Sequence, residues 1–161
     1  PKPKPKPEEM ALTYLLILFV IALALAPLTH FIPSKRQRRI AGLREYAAVH
    51  GLFVEFRDLP NGSAPSLARA SRGHVIYYGK RIAARRVRPV EAGAWIYDQD
   101  SWRSVGRRLP VPQPVQGLPA DILAASVDAG SCGVYWTESS GEAGVEHIRQ
   151  VLECWCEELI S

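Results

Sequence analysis

The sequence predicts an α+β fold in which one N-terminal transmembrane helix precedes a small soluble α+β domain. A long uncharged apolar run near the N-terminus predicts the helix. After it, helical and strand-like patterns follow in the order helix, strands, connector, strand, helix, which is typical of α+β domains. We therefore divide the chain into a disordered Lys-Pro tail at 1–9, a transmembrane helix at 10–33 and a soluble domain at 34–161.

The apolar run extends from Ala11 to Ile32, 22 residues without a charged side chain. At about 1.5 Å per residue it would span roughly 33 Å, enough to cross a hydrocarbon core of about 30 Å. A cleaved signal peptide is the alternative, because the lysines of the tail could form its basic region. Pro27 directly after the candidate cleavage box is a poor cleavage position, and the run is long for a signal peptide.

The domain begins with a predicted helix from Ser34 to His50, with Ser34 as its N-cap and Gly51 as its stop. Strand patterns rich in aromatic and β-branched residues then predict three strands. These lie at 52–57, 75–78 and 94–97, with an Asn61-Gly62 turn region after the first.

The second half of the domain opens with a proline-rich connector at 109–119, which reads as rigid. The pattern then predicts a short helix at 120–126 and a strand at 133–137. The last segment, 145–160, has the clearest amphipathic pattern of the domain, because its apolar residues recur every three or four positions. They are Val145, Ile148, Val151, Leu152, Trp155 and Leu159.

Charge is distributed unevenly over the domain. Residues 34–108 hold 16 Lys and Arg against six Asp and Glu, whereas residues 109–161 hold one Arg against eight acids. This asymmetry predicts either a surface partner or pairing between the two halves. We expect a membrane-surface cluster directly after the apolar run, and a docking patch in the next basic segment. The cluster is Lys35, Arg36, Arg38 and Arg39, and the patch is Arg85, Arg86 and Arg88.

Nucleic-acid binding is a weaker interpretation of the same basic half. Its arginines could contact phosphates while aromatic side chains stack on bases. No recognisable nucleic-acid-binding motif supports it. The side chains in question are Arg81, Arg85, Arg86, Arg88, Arg103, Arg107 and Arg108, with Tyr77, Tyr78, Trp95 and Trp102.

Motifs of catalytic and cofactor sites are missing from the sequence. There is no GxGxxG, GxxxxGK[ST], HExxH, CxxC or GxSxG. We therefore expect no enzymatic activity, no cofactor and no metal. The cysteines are Cys132, Cys154 and Cys156, an odd number that predicts reduced thiols. Cys154 and Cys156 should point apart on a helix.

The apolar run continues directly into the basic sequence FIPSKRQRRIAGLREY, residues 31–46. Over residues 11–46 this resembles the YajC-type accessory subunit of the bacterial protein-translocation machinery. The similarity ends there, because the family's following Gly-Asp segment has no counterpart in HGLFVEFRDLP, and no functional residue is carried over. The resemblance implies an accessory role in a membrane complex.

These observations lead to an expected function and location. We expect a single-pass protein of the bacterial inner membrane with its C-terminal domain in the cytoplasm, since Lys and Arg follow the span. Its expected role is a non-catalytic accessory, adaptor or assembly subunit of a larger membrane complex, with membrane lipids and integral membrane proteins as partners. The alternative is a membrane-tethered binding domain for an anionic ligand or nucleic acid.

Overall fold

The computed structural model describes residues 7–26, 34–60, 75–83 and 89–161. The chain divides into two compact units, Pro1–Arg38 and Arg39–Ser161. The second unit contains the sheet and its covering helix, and every site discussed below except the first residues of the basic cluster belongs to it.

Helix α1 extends from Pro7 to Leu25, with Glu8 and Glu9 in its first turn. Its uncharged part, from Met10 to Leu25, extends about 24 Å at 1.5 Å per residue, which is short of a hydrocarbon core of about 30 Å. Among the residues that the structure describes, no helix combines the length and apolar composition that crossing a bilayer requires. This finding contradicts the predicted transmembrane helix at 10–33 and the single-pass inner-membrane location based on it. Residues 27–33, which that prediction included, lie outside the described residues.

Helix α2 extends from Lys35 to Val49 and confirms the predicted helix. Ser34 and Gln37 cap its start reciprocally: the Gln37 backbone N–H donates to Ser34 Oγ at 3.2 Å, and the Ser34 backbone N–H donates to Gln37 Oε1 at 2.7 Å. At the other end Gly51 has φ of 78°, a conformation that glycine adopts at little cost. Leu43 and Ala47 are the buried residues of α2.

Six strands form one antiparallel sheet in the order β1-β2-β6-β5-β3-β4. The central strand β6 is buried along its whole length, because strands flank it on both sides. The strands are β1 (Phe53–Glu55), β2 (Ile76–Arg81), β3 (Gly93–Asp98), β4 (Ser101–Ser104), β5 (Ile122–Val127) and β6 (Ser131–Trp136).

Strand β5 corrects the predicted helix at 120–126. Its alanines favour a helix when the segment is considered alone, but β5 pairs with β3 on one side and β6 on the other. An irregularity in the pairing between Ile122 and Ala124 interrupts the alternation that would have indicated a strand. Tertiary pairing therefore overrides local propensity here.

Two helices complete the second half of the fold. The short helix α3, Gln113–Gln116, lies within the proline-rich connector. Helix α4, Gly141–Ile160, confirms the predicted amphipathic helix. Of its apolar stripe, Val145, Ile148, Leu152 and Trp155 are buried, while Val151 and Leu159 are half-buried.

The sheet has a different apolar cluster on each face. On one face, the large cluster joins residues of α2, α3 and α4 to alternate strand residues such as Ile76, Tyr78 and Val134. On the opposite face, Tyr77, Ile96, Ala124 and Tyr135 form a smaller cluster. Gly133 is required there, since a Cβ at this position would lie 2.6 Å from the Tyr78 carbonyl oxygen and inside the Tyr77 ring. α4 and the candidate site described next lie on the first face.

Candidate functional site

An aromatic pair at the β4 edge of the sheet is the first component of the candidate site. Tyr97 and Trp102 are directly opposite each other in the β3–β4 hairpin, with ring centroids 5.3 Å apart. Gln99 and Asp100 form the two-residue loop, with φ of 49° and 59°. Positive φ at both loop residues is the geometry that matches the twist of paired strands, so the hairpin is rigid and holds the two rings in place.

The connector supplies the facing wall of the site. The Trp95 indole N–H donates to the Pro110 carbonyl at 3.1 Å and fixes the connector to the sheet. Farther along, the Gln116 side-chain amide donates to the Val111 carbonyl at 3.3 Å and closes the connector on itself. Proline at the start of α3 restricts the backbone further. The wall is therefore preorganised rather than loose.

Hairpin and connector together enclose an open groove of about 360 Å³. Its accessible lining is more polar than apolar, with two aromatic rings beside carboxylate, hydroxyl and amide groups. We call it the edge groove. It is lined by Tyr97, Asp100, Ser101, Trp102, Val111, Gln116 and Leu118.

The Trp102 side chain lines this groove and carries a hydrogen-bond donor that has no partner in the described part of the chain. Its indole Nε1 is buried and has no hydrogen-bond partner among the described residues. An unpaired buried donor costs free energy, and most such groups in native proteins are paired. Because this nitrogen has almost no solvent-accessible surface, a ligand oxygen could accept a hydrogen bond from it only after the side chains that cover it move. Asp100 at the rim adds a negative charge that favours a cationic neighbour.

The sequence did not identify this site as a groove. Trp102 was considered only as a stacking partner for nucleic acid, and the β4 strand was not predicted. The available signal was the short Gln99-Asp100 segment between the strand-like sequences AWIYD and SWRS. It was overlooked because it lacks the Asn-Gly or Asp-Gly pair that marks most two-residue hairpins.

The structure tests the predicted basic sites only in part. Lys35, Arg36, Arg38 and Arg39 are exposed in the first turns of α2. The docking patch, Arg85, Arg86 and Arg88, lies outside the described residues and stays a prediction.

Three of the four aromatic residues considered as stacking partners for nucleic acid are buried. Tyr77, Tyr78 and Trp95 are buried at 0%, 0% and 4% exposure, so their ring faces are not available to bases. Tyr77 also belongs to the opposite face of the sheet from Trp95. These three rings therefore cannot stack on bases, while Arg85, Arg86 and Arg88 lie outside the described residues.

Part of the charge asymmetry is balanced by pairing within the domain, one of the two outcomes that the sequence predicted. Three ion pairs join the basic half to the acidic half. They are Arg44–Glu138 at 2.8 Å, Arg57–Asp128 at 3.5 Å and Lys80–Glu153 at 2.9 Å.

Glu138 is the most buried member of these pairs, with a side chain 5% exposed. It accepts two hydrogen bonds from Arg44, at 2.8 and 2.9 Å, and a third from the Tyr78 hydroxyl at 2.9 Å. Burial, and then the Glu138 charge, raises the pKa of Tyr78 above its usual range. Through Glu138 these bonds join Arg44 of α2 to Tyr78 of β2, so this cluster ties α2 to the sheet.

The cysteines and histidines form no metal site in the described part of the chain, where no group of three or more His, Cys, Asp or Glu side chains could hold an ion. Cys154 is exposed and Cys156 is buried, so the prediction that they point apart is confirmed. All three thiols are free, as predicted.

Comparison of the chain with known protein families, curated proteins and solved structures found no match. The similarity over residues 11–46 to translocation accessory subunits stays a prediction.

Proposed function

We propose that this chain is a non-catalytic adaptor that holds an extended segment of a partner protein in the edge groove. The observation that carries the proposal is the buried, unpartnered Trp102 indole N–H beside the Tyr97 ring. A backbone carbonyl of the partner would accept this hydrogen bond once the side chains that cover the indole nitrogen move aside. An aliphatic or proline side chain next to that carbonyl would pack on the two rings, as in other modes of peptide recognition.

Two features favour a polypeptide over a small molecule. The groove is open along its length rather than closed around a compact ligand. It also adjoins β4, an edge strand that pairs only with β3 among the described strands. Such an edge can accept main-chain hydrogen bonds from an added strand. Asp100 favours a segment with a Lys or Arg near the carbonyl that binds Trp102.

Peptide selection on the full chain tests this proposal. We expect a random peptide display library to yield extended peptides that bind the wild type, and Trp102→Phe to lose at least tenfold in affinity, because phenylalanine keeps a ring but has no N–H. Phe56→Ala is the matched control, since Phe56 is an aromatic residue 83% exposed elsewhere on the domain. Peptides that bind Trp102→Phe as tightly as the wild type would refute the edge groove as the site.

A second candidate, binding of an anionic polymer, is favoured by the start of α2. Its first turn holds no acidic residue, and Lys35, Arg36 and Arg39 are exposed there. Basic residues at a helix N-terminus oppose the helix dipole at a cost of a few tenths to about 1 kcal/mol, so local stability does not account for them. Binding of a homopolymeric RNA that weakens steeply with salt, and that is lost in a Lys35→Glu, Arg36→Glu double variant, would support this candidate.

A further inference from the structure

Two thiols meet between the central strand and the covering helix. Cys132 on β6 and Cys156 on α4 have their sulfur atoms 3.1 Å apart. Cys132 is fully buried and Cys156 is 6% exposed. Cys132 Sγ also lies 3.9 Å from the Leu152 carbonyl oxygen, one helical turn before Cys156. The strand and the helix are therefore in direct contact at this point.

This separation is close to that of a bonded pair. A disulfide has its sulfur atoms about 2.0 Å apart, so the two would have to approach by about 1 Å. Rotation about the side-chain bonds of the two cysteines would have to supply this movement. Cys154, which points away from the sheet and is exposed, takes no part.

We propose that Cys132 and Cys156 are a reversible oxidation site, which a hydroperoxide converts into a disulfide that links β6 to α4. The Cys156 thiolate attacks one oxygen of hydrogen peroxide. A sulfur–oxygen bond forms, the oxygen–oxygen bond breaks, and the departing hydroxide takes a proton to become water. The Cys132 sulfur then attacks the Cys156 sulfur, and the sulfur–sulfur bond forms as the sulfur–oxygen bond breaks. The second hydroxide leaves with the Cys132 proton as water. Two thiols are oxidised by two electrons, and one peroxide is reduced to two waters.

The environments of the two sulfur atoms indicate which one attacks the peroxide and which one resolves the intermediate. The two thiols share a hydrogen bond in which either sulfur can be the donor, and this contact lowers the pKa of Cys156 while it raises the pKa of Cys132. The positive charge of Lys80 favours the thiolate at both sites. Cys156 is also the more accessible of the two, and peroxide is hardly larger than water. Cys156 is therefore the attacking sulfur, and Cys132 resolves the intermediate.

Thiol counting after peroxide treatment of the full chain tests the proposal. The wild type should fall from three free thiols to one, and a reducing agent should restore all three. A non-reduced peptide digest should contain the segments of Cys132 and Cys156 joined to each other. Cys154→Ser should give the same linked peptide, and Cys156→Ser should give none. Cys132→Ser should trap the oxidised Cys156 in a form that a sulfenic-acid reagent labels.

Two results would overturn the inference. The first is a wild type that retains the Cys132 and Cys156 thiols at peroxide concentrations that oxidise the exposed Cys154. The second is a linked peptide that joins Cys154 to another residue or to a second chain instead. Neither result depends on the edge groove, so the inference and the proposed function fail separately.

Discussion

Two aromatic pairs lie on the same face of the sheet and differ in what covers them. Trp95 of β3 packs edge-on against Trp155 of α4, with centroids 5.7 Å apart and both side chains at most 4% exposed. Tyr97, two residues farther along β3, pairs with Trp102 of β4 in the half-buried wall of the edge groove. The Trp95 indole N–H has a carbonyl partner, whereas the Trp102 N–H has none among the described residues.

This difference separates stability from binding. The covered pair has its apolar area and its polar atom satisfied inside the domain, so removing it should unfold the protein. The open pair keeps part of its area and its donor unused, so removing it should affect a ligand more than the fold. Both pairs belong to the same sheet. The position of α4 determines that the Trp95–Trp155 pair contributes to stability and that the Tyr97–Trp102 pair is available for binding.

Trp155→Ala should have the largest effect on stability. Trp155 is 1% exposed, and truncating a fully buried Trp costs about 3–5 kcal/mol. That is a large part of the roughly 5–15 kcal/mol that stabilises a domain. Chemical denaturation of the full chain, followed by circular dichroism, should show a much lower denaturant concentration at the unfolding midpoint. An unchanged midpoint would mean that α4 does not cover the sheet.

Glu138→Gln should rank second, at about 2–3 kcal/mol, because glutamine keeps one acceptor oxygen but loses the buried negative charge, and its amide N–H group faces the Arg44 or Tyr78 donors. Glu91→Gln is the matched control. Glu91 also pairs with an arginine, Arg107, at 2.8 Å, but its side chain is 58% exposed. Exposed pairs contribute about 0–1 kcal/mol. Equal losses in the two variants would contradict the distinction between covered and open positions.

Tyr77→Phe extends the comparison to the opposite face of the sheet. Burial raises the pKa of Tyr77 to about 12, against a smaller opposing effect of the Arg57 charge. The folded state therefore favours the protonated phenol, and its stability contribution is complete below pH 10 and is lost as the pH rises towards 12. The loss for this group is roughly 2–3 kcal/mol.

Denaturation midpoints between pH 8 and 12 measure this effect. Tyr77→Phe should match the wild type near pH 8, since the hydroxyl has no hydrogen-bond partner among the described residues, and it should lose less stability above pH 10. Parallel curves for the two proteins over the whole range would show that the phenol is not protected from solvent.

Trp102→Phe should have the smallest effect on folding, within about 1 kcal/mol of the wild type, because most of the ring area is kept and the lost N–H had no partner. Chemical denaturation, followed by circular dichroism as for Trp155→Ala, measures this effect on stability. A loss of stability as large as that of Trp155→Ala would show that Trp102 is a core residue. The two aromatic pairs would then not differ in their contribution to folding.

The sequence predicted those elements whose local pattern and tertiary environment agree. α4 has apolar residues at helical spacing and a sheet to cover, so pattern and structure coincide. The cap at Ser34 and the stop at Gly51 depend on neighbouring residues alone, and both were confirmed. The apolar run was assigned to a bilayer from its composition over 22 residues, whereas the helix described there begins with two glutamates and ends at Leu25.

Long-range pairing accounts for what the sequence missed. β5 looks helical until β3 and β6 are placed on either side of it. The edge groove depends on the hairpin turn at Gln99 and Asp100 and on the hydrogen bond from Trp95 to Pro110. The contact between Cys132 and Cys156 joins residues 24 positions apart, which no local spacing rule relates.

The most direct test of the central claim is the amide and indole NMR spectrum of the full chain with a selected peptide. The four tryptophans give four indole N–H signals. The signal that is missing from the spectrum of Trp102→Phe is the Trp102 signal. On titration with the peptide, the Trp102 signal should move downfield as its N–H forms a hydrogen bond, while the Trp155 signal stays in place. A peptide that binds and shifts other signals but leaves the Trp102 indole N–H unchanged would contradict the proposed adaptor site.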